Sequence, residues 1–422
     1  MSAPLSHQHP HKDKDAPHLK PPHRFRCAVF PAAGAPLELV DVEYRPPAKG
    51  TVTIKVDACF LSQNDAIGAL GLRAGHDHFP VSPGQCVVGR VVEAGSGARE
   101  GGQATASGMV ASIIGKLNLG GGASSSSSGE GDTNGEGHPE LLHHKFKAGD
   151  HVVASVTHQG LGEYCTAHGT STVAVVEGMP LLEQAVVAVF GGRVLAVWER
   201  FKWDLERKSE EELSRLREAC PAHAAAGKGC PGVVVVWGSG GHASLAYHVL
   251  RAEAPAHEHI VVVSPSRKHS HLDYGVPEGD FLQVGECNLD DALRKLGGVK
   301  LCVCVDQPES GSGFRDLLDA TCPGAEVSLV SIKGHGHLEV PVGNLLGRSL
   351  VIRGVPALTA QTMHRALRLC HKHDLHRHVS VRKFPFERDA VRACYDETLK
   401  PTDSFGANCV VFEAEGQTPV PI

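Results

Sequence analysis

Four consecutive valines, Val233–Val236, lead directly into Trp237-Gly238-Ser239-Gly240-Gly241-His242-Ala243. Such a run suits the centre of a parallel sheet, where both faces of a strand are covered, and makes a poor solvent-facing segment. The glycines have G-x-G-x-x-A spacing, and Ser244 to Leu250 read as a helix, so the glycines fall on a strand-to-helix turn. Gly238 would permit the tight turn, Gly240 would let backbone approach a pyrophosphate, and Ala243 would keep helix and strand close. The helix start adds free N–H groups and about half a positive charge. Ser239, Gly241 and His242 complete the candidate phosphate loop. An ordinary strand–helix turn can share this spacing, so the surrounding sequence has to decide.

The surroundings repeat the pattern. Ile260–Ser264, Leu301–Asp306, Ala325–Val330 after a Pro323-Gly324 turn, and Ser349–Gly354 are further apolar runs. Leu289–Leu296 and Gly313–Ala320 between them read as helices. Alternating strands and helices predict an α/β fold with a doubly wound parallel sheet. Asp306, at a strand end, joins the candidate cofactor contacts. So do Ser264, Arg267 and Lys268, which end or follow the second strand. A site for NAD usually carries a carboxylate there, against the ribose 2′-OH. None is present, and Arg267 and Lys268 could face a 2′-phosphate, so NADP(H) is favoured over NAD(H). Both cations would equally suit a solvated loop.

Before Val233 the pattern changes. Thr51–Ala58 alternates with period two, the mark of a half-buried antiparallel strand. Val87–Glu93 and His151–Val156, the latter after a Gly149-Asp150 turn, are further strands. A β-rich domain thus precedes the α/β one, as a chain of 422 residues leads one to expect. Three segments read as additions. Residues 1–24 form a polar tail expected to be disordered, and 103–144 form a Gly- and Ser-rich insertion. Residues 201–229 read as an inserted amphipathic helical segment, with Glu210, Glu211, Arg215 and Glu218 among leucines.

A net charge of −6 argues against a nucleic-acid partner. No apolar run approaches the roughly 20 residues of a membrane helix. The tail lacks the apolar core of a secretory signal. The 13 cysteines are dispersed, without a C-x-x-C pair, which points to free thiols in a reducing, cytoplasmic setting. With 27 histidines, metal-like patterns arise by chance. The groups His7/His9/His11, His335/His337 and His371/His373/His376/His378 read as solvated.

The order of motifs resembles a known family. Ser82-Pro83-Gly84-Gln85-Cys86 through Gly95, Phe146–Val152, Gly160-Leu161-Gly162-Glu163-Tyr164, the glycine loop, Pro323-Gly324 and Arg353-Gly354 follow one another as in the medium-chain dehydrogenase/reductase superfamily, on its zinc alcohol dehydrogenase-like branch. The resemblance covers roughly Phe25 to Glu413 apart from the insertions. It implies a GroES-like catalytic domain over 25–195, a Rossmann domain over 196–357, and a return to the first domain over 358–422. It further implies a cofactor in the cleft between them, a small-molecule substrate, and a possible homodimer through the cofactor-domain edge. Hydride would pass between nicotinamide C4 and a carbonyl, quinone or activated alkene.

The departures are as informative. The family's three catalytic zinc-ligand positions match Ser62, Gln85 and Phe190, which do not supply the thiolate and imidazole ligands that zinc needs. Cys59 and Cys86 are offset from them. The structural-zinc lobe is missing, so no zinc is expected. The proton-relay positions match Asn64 and Ile67, the nicotinamide-supporting threonine matches Val194, and the pyrophosphate arginine matches Asn408. Zinc-free quinone and enoyl reductases carry Asn-Pro-x-Asp at the first ligand, and Ser62-Gln63-Asn64-Asp65 is similar to a drifted version. These four are the candidate catalytic residues, with Ser62, Gln63 and Asn64 as oxyanion donors worth about 3 kcal/mol each. They would serve equally as polar turn residues. Two readings stay open: a zinc-independent NAD(P)(H)-dependent oxidoreductase, and a catalytically inactive descendant that binds nucleotide or a protein partner.

Overall fold

The computed structural model describes residues 21–62, 65, 79–98, 145–156, 159–212, 214, 232–266, 269–306, 312–330, 338–355, 358–400 and 406–412. The insertion over 103–144, and with it Gln63, Asn64, Arg267 and Lys268, lies outside the described residues. In chain order the first strands are β1 (Arg24–Val29), β2 (Glu38–Glu43), β3 (Thr51–Phe60), β4 (Cys86–Ala94), β5 (His151–Ser155), β6 (Tyr164–His168) and β7 (Thr172–Ala174). Helix α1 (Leu181–Glu206) follows, with a wider π turn at Val187–Gly191. The α/β half contains β8 (Val233–Trp237), α2 (Gly240–Glu253), β9 (Ile260–Ser264), α3 (His271–Tyr274), β10 (Phe281–Gln283), α4 (Leu289–Lys295), β11 (Val299–Cys304), α5 (Ser312–Asp319), β12 (Thr321–Leu329), α6 (Val342–Gly347) and β13 (Val351–Gly354). The chain closes with α7 (Ala360–His373), β14 (Ser380–Pro385), α8 (Arg388–Leu399) and β15 (Gly406–Val411).

The six strands of the α/β half are all parallel, in the order β10-β9-β8-β11-β12-β13. The order reverses between β8 and β11, and sheets of this kind take ligands at the C-terminal ends beside that reversal. The valine run forms the centre, as its composition requires. Val234 and Val236 pack into one core, while Val233, Val235 and Trp237 pack into the other. Pro323-Gly324 does not end a turn, as expected, but lies inside β12. Gly324 takes φ +72°, and the pairing with β11 shifts register between Val299 and Leu301, so the two residues form a bulge in a continuous strand.

The other sheet runs β14-β15-β3-β4-β5-β7, with β6 also on β3, and β1 and β2 pair beside it. Its strand β3 is not half-buried, as its alternation suggested. It is covered on both faces, with Lys55 and Asp57 only partly exposed. Val52, Ile54 and Val56 enter one core with Cys59, whereas Ala58 and Phe60 enter the other. The change of parity coincides with a register shift against β4 between Val56 and Ala58. That bulge turns Phe60 toward the α/β half. The last strands, β14 and β15, belong to this sheet.

Helix α1 joins the halves without a break, so a boundary at 195/196 falls in mid-helix. Residues 201–206 are its last turns, not the start of a separate helix. It is also long and apolar enough, by length and composition alone, to cross a membrane, at a mean hydropathy of 1.5, although no such run was expected. Most of it is buried within the fold. A Cβ on Gly192 would lie 2.9 Å from Leu358 Cδ1, just before α7, and 3.5 Å from the Met363 backbone within it.

Candidate active site

The glycine loop leaves β8 and opens α2. A Cβ on Gly238 would lie 2.4 Å from Val305 Cγ2, so the turn passes the β11 end closer than any side chain permits. Gly240 begins the helix with φ +70°, in the left-handed region that glycine adopts without strain. The loop is fastened from behind. The Ser239 N–H and hydroxyl donate to Asp306 Oδ2 at 2.7 and 2.6 Å. Gly240 N–H donates to the Tyr274 hydroxyl at 3.1 Å, and that hydroxyl also meets Ser264 Oγ at 2.9 Å. Ala243 is fully buried against the sheet, as its size suggested, while Gly241 and His242 stand half-buried at the first turn of α2.

Two of the expected cofactor contacts take another place. Ser264 is 0% exposed and bonded to Tyr274, so it braces the loop from below. Asp306 is 3% exposed, with one oxygen holding Ser239; it is first of all an anchor of the loop. Tyr274, which no motif singled out, is the hub of this support. It accepts from Ser244 Oγ through its carbonyl and meets His248 Nε2 there as well. His248 in turn stacks on His378, with ring centroids 3.4 Å apart and planes 13° from parallel. Burial, aided by the His378 charge and opposed by the bond to Tyr274, pushes His248 down from 6.5 to about 4. Of the histidines read as solvated, His378 is therefore a packing residue that ties the C-terminal return to α2.

The positions that match metal ligands converge at the other side of the cleft. Asp65 is 5% exposed and accepts three hydrogen bonds: from Ser62 N–H at 2.8 Å, Ser62 Oγ at 2.7 Å and Gly84 N–H at 2.8 Å. It ties the end of β3 to the approach to β4. Burial raises its pKa, against these bonds and the charge of Arg193. The Ser62 hydroxyl proton is directed at Asp65, so Ser62 serves this brace before any substrate oxygen. Phe190 lays its ring against His242 at 4.4 Å and closes the space between the loop and α1. Arg193, one turn further along α1, donates from Nη2 to Gln85 Oε1 at 3.2 Å. Sequence reasoning passed over Arg193. The available signal was an arginine inside an otherwise apolar stretch of helix, three residues after a ligand position.

These two sides bound one cleft. Phe60, Leu61, Val186, Val189 and Phe190 give it apolar walls, and Gln85, Arg193, His242 and Asp306 its polar points. It encloses about 90 Å³. Asn408 also lines it; its Nδ2 donates to Thr398 Oγ1 at 3.1 Å, while its buried Oδ1 has no partner. Among the described residues no three His, Cys, Asp or Glu side chains gather in a way that could hold a metal. At the matched positions a serine, a glutamine and a phenyl ring are not a donor set that zinc accepts, and Cys86, which also lines the cleft, turns its thiol to the Ala185 carbonyl at 3.6 Å.

No family model matches the chain. Over 76 residues it is 34% identical to the alcohol dehydrogenase patD of Penicillium expansum, a stretch covering 18% of this chain and 22% of that protein. The chain spans about a fifth of the length of the curated relatives it matches. Solved structures match far more of it. The CurK enoyl reductase has a TM-score of 0.60 at 14% identity, covering 92% of this chain and 99% of that one. The quinone oxidoreductase of Thermus thermophilus, known also as its complex with NADPH, has a TM-score of 0.55 at 19% identity, with 92% and 99% covered.

Proposed function

We propose that this chain, which has the fold of the medium-chain dehydrogenase/reductase superfamily, is a zinc-independent NAD(P)(H)-dependent oxidoreductase acting on a carbonyl, quinone or activated alkene. The observation that carries this reading is the cleft. The left-handed Gly240 and the half-buried start of α2 stand on one side of it, and an apolar wall with a few polar groups stands on the other. The loop fits a dinucleotide: its glycines keep side chains out of the backbone's approach, and the helix start offers positive potential to phosphate. Gly240, Gly241 and His242 would hold the pyrophosphate. The bound nicotinamide supplies the two-electron chemistry. The protein's share is to hold it against the cleft, keep water out with Phe60, Leu61 and Phe190, and present polar groups to the substrate oxygen. The likeness to an enoyl reductase and a quinone oxidoreductase supports this substrate class.

NADP(H) is the preferred cofactor in this reading, because β9 ends in Ser264 without a carboxylate and Arg267 and Lys268 follow. Eleven free thiols among the described residues, all but Cys287 buried, support a cytoplasmic setting. The open edge strand β13 supports a homodimer.

One observation favours the alternative, a non-catalytic descendant. Donors of the loop, at Ser239 and Gly240, are engaged with Asp306 and Tyr274 inside the protein. Fluorescence titration with NADPH, followed by a screen of quinones, enones and aldehydes for NADPH oxidation, separates the two. Binding with turnover is the expected result. Binding without turnover of any of the three classes would favour the inactive descendant, and absence of binding would defeat the proposal.

A further inference from the structure

We propose that the Arg193 guanidinium and the Gln85 carboxamide form an oxyanion site for the carbonyl oxygen of the substrate, at the corner where the metal-ligand positions converge. The inference rests on the oxidoreductase reading above and names the substrate group that this corner recognises.

The argument begins with the one hydrogen bond between them. Guanidinium has only donors, so the Gln85 atom 3.2 Å from Arg193 Nη2 must be the amide oxygen. The orientation of the carboxamide is thereby fixed by chemistry. Its oxygen is turned to Arg193, and its NH2 is the group it has left to offer the cleft. Gln85 is held in place by its backbone, whose carbonyl accepts from Val156 N–H at 2.9 Å. Arg193 is carried on the buried helix α1 and lines the same cleft as Gln85. Gln85 takes one of the five guanidinium N–H donors, and the Arg193 charge also acts on Asp65. Arg193 is the only Lys or Arg among the described residues that line this cleft. The carboxylate behind it, Asp65, accepts from Ser62 and Gly84, which anchors its position. A fixed cation, a fixed amide NH2 and apolar walls suit a neutral carbonyl that becomes anionic during reaction, because charge–dipole interactions strengthen where water is excluded.

The step balances as follows. The substrate carbon accepts hydride, with its electron pair, from the reduced nicotinamide and forms a C–H bond. The π pair of the C=O bond, or of the conjugated C=C–C=O system, moves onto oxygen. The resulting alkoxide or enolate is held by Arg193 and Gln85 and takes a proton from water, while NAD(P)H leaves oxidised. A simple aldehyde and an enone share this chemistry.

The test uses the full chain, with butyrate as a standing anion and butyramide as its neutral counterpart, titrated calorimetrically, alongside NADPH titration and turnover of an aldehyde and of an enone. Arg193→Gln should leave NADPH affinity unchanged, weaken butyrate at least about tenfold while sparing butyramide, and lower kcat about a hundredfold to a thousandfold, the usual cost of one oxyanion donor. Arg193→Lys, which restores a point charge, should recover part of both losses; Gln85→Leu should lose less butyrate affinity than Arg193→Gln. The aldehyde and enone arms tell which carbonyl class is used. Wild type and Arg193→Gln of equal melting temperature that bind butyrate equally well, or turn over equally fast, would overturn the oxyanion site and leave the oxidoreductase reading standing. If Arg193→Gln does not fold, the Arg193→Lys and Gln85→Leu titrations decide, and an unchanged butyrate affinity in both overturns the site. Failure of NADPH to bind wild type would instead defeat the oxidoreductase reading, with the butyrate titration still reporting on Arg193.

Discussion

The glycine loop and the corner around Asp65 face each other across one cleft, but they are built from different materials. The loop is made of backbone. Its shape depends on Gly238 passing Val305 and on Gly240 at φ +70°, and side chains such as Tyr274 and Asp306 only brace it. The corner is made of side chains. Asp65 gathers Ser62 and Gly84, and Arg193 gathers Gln85. A backbone site tolerates few residue types and keeps its pattern. A side-chain site can change its residues while the same strands and helix hold the corner in place.

That contrast predicts where substitutions will hurt. Asp65→Ala strands three donors in a buried place, so it should cost about 3–5 kcal/mol of folding stability, measured by urea unfolding. A loss below about 1 kcal/mol would show that the corner does not depend on its carboxylate. Behind the loop, His248 titrates at about 4 in the folded protein instead of 6.5. The unfolded chain therefore binds the extra proton first. The contribution of His248 is complete above about 6.5 and is lost as pH falls toward about 4. Wild type should lose roughly 2 kcal/mol across that window after allowance for partial exposure, and His248→Gln should show a flatter profile in the same melts. Identical slopes for the two proteins would remove His248 from the account.

In the loop itself, Gly240→Asp brings a Cβ into the left-handed region and a carboxylate to the phosphate side. Dinucleotide affinity should fall at least tenfold, about 1.4 kcal/mol, in a protein that still folds; unchanged affinity would place the cofactor elsewhere. The smallest effect is expected for the pair Arg267→Ala with Lys268→Ala, which should weaken NADPH by less than about 1.4 kcal/mol and NADH hardly at all, with the difference shrinking as salt rises. A wild type that binds NADH as well as NADPH would turn both cations out into solvent.

The same contrast explains what the sequence disclosed. Val233–Trp237 and its glycines could be read without a structure, because a central parallel strand and a left-handed backbone each admit few residues. Strand limits elsewhere followed from apolar runs, Ile260–Ser264 among them. Tyr274 could not be read in this way. Its hydroxyl reaches Gly240 over 34 residues of chain, and nothing local marks a tyrosine at the end of a four-residue helix as the support of a distant loop. Ser62, Gln85 and Phe190 could be named for this corner from the sequence, but not the bond that joins Arg193 to it. Arg193 belongs to a helix and Gln85 to the approach to a strand of the other sheet, and only the packing of α1 against that sheet brings them together.

Helix α1 links this corner to a distant edge. Arg193 stands near its middle, and seven residues on, about 10 Å along the axis, Arg200 donates to the Gly354 carbonyl on β13 and to Glu326 and Ser328 on β12. A regular helix does not stretch, so the cleft and this outer strand of the parallel sheet are held at one fixed separation.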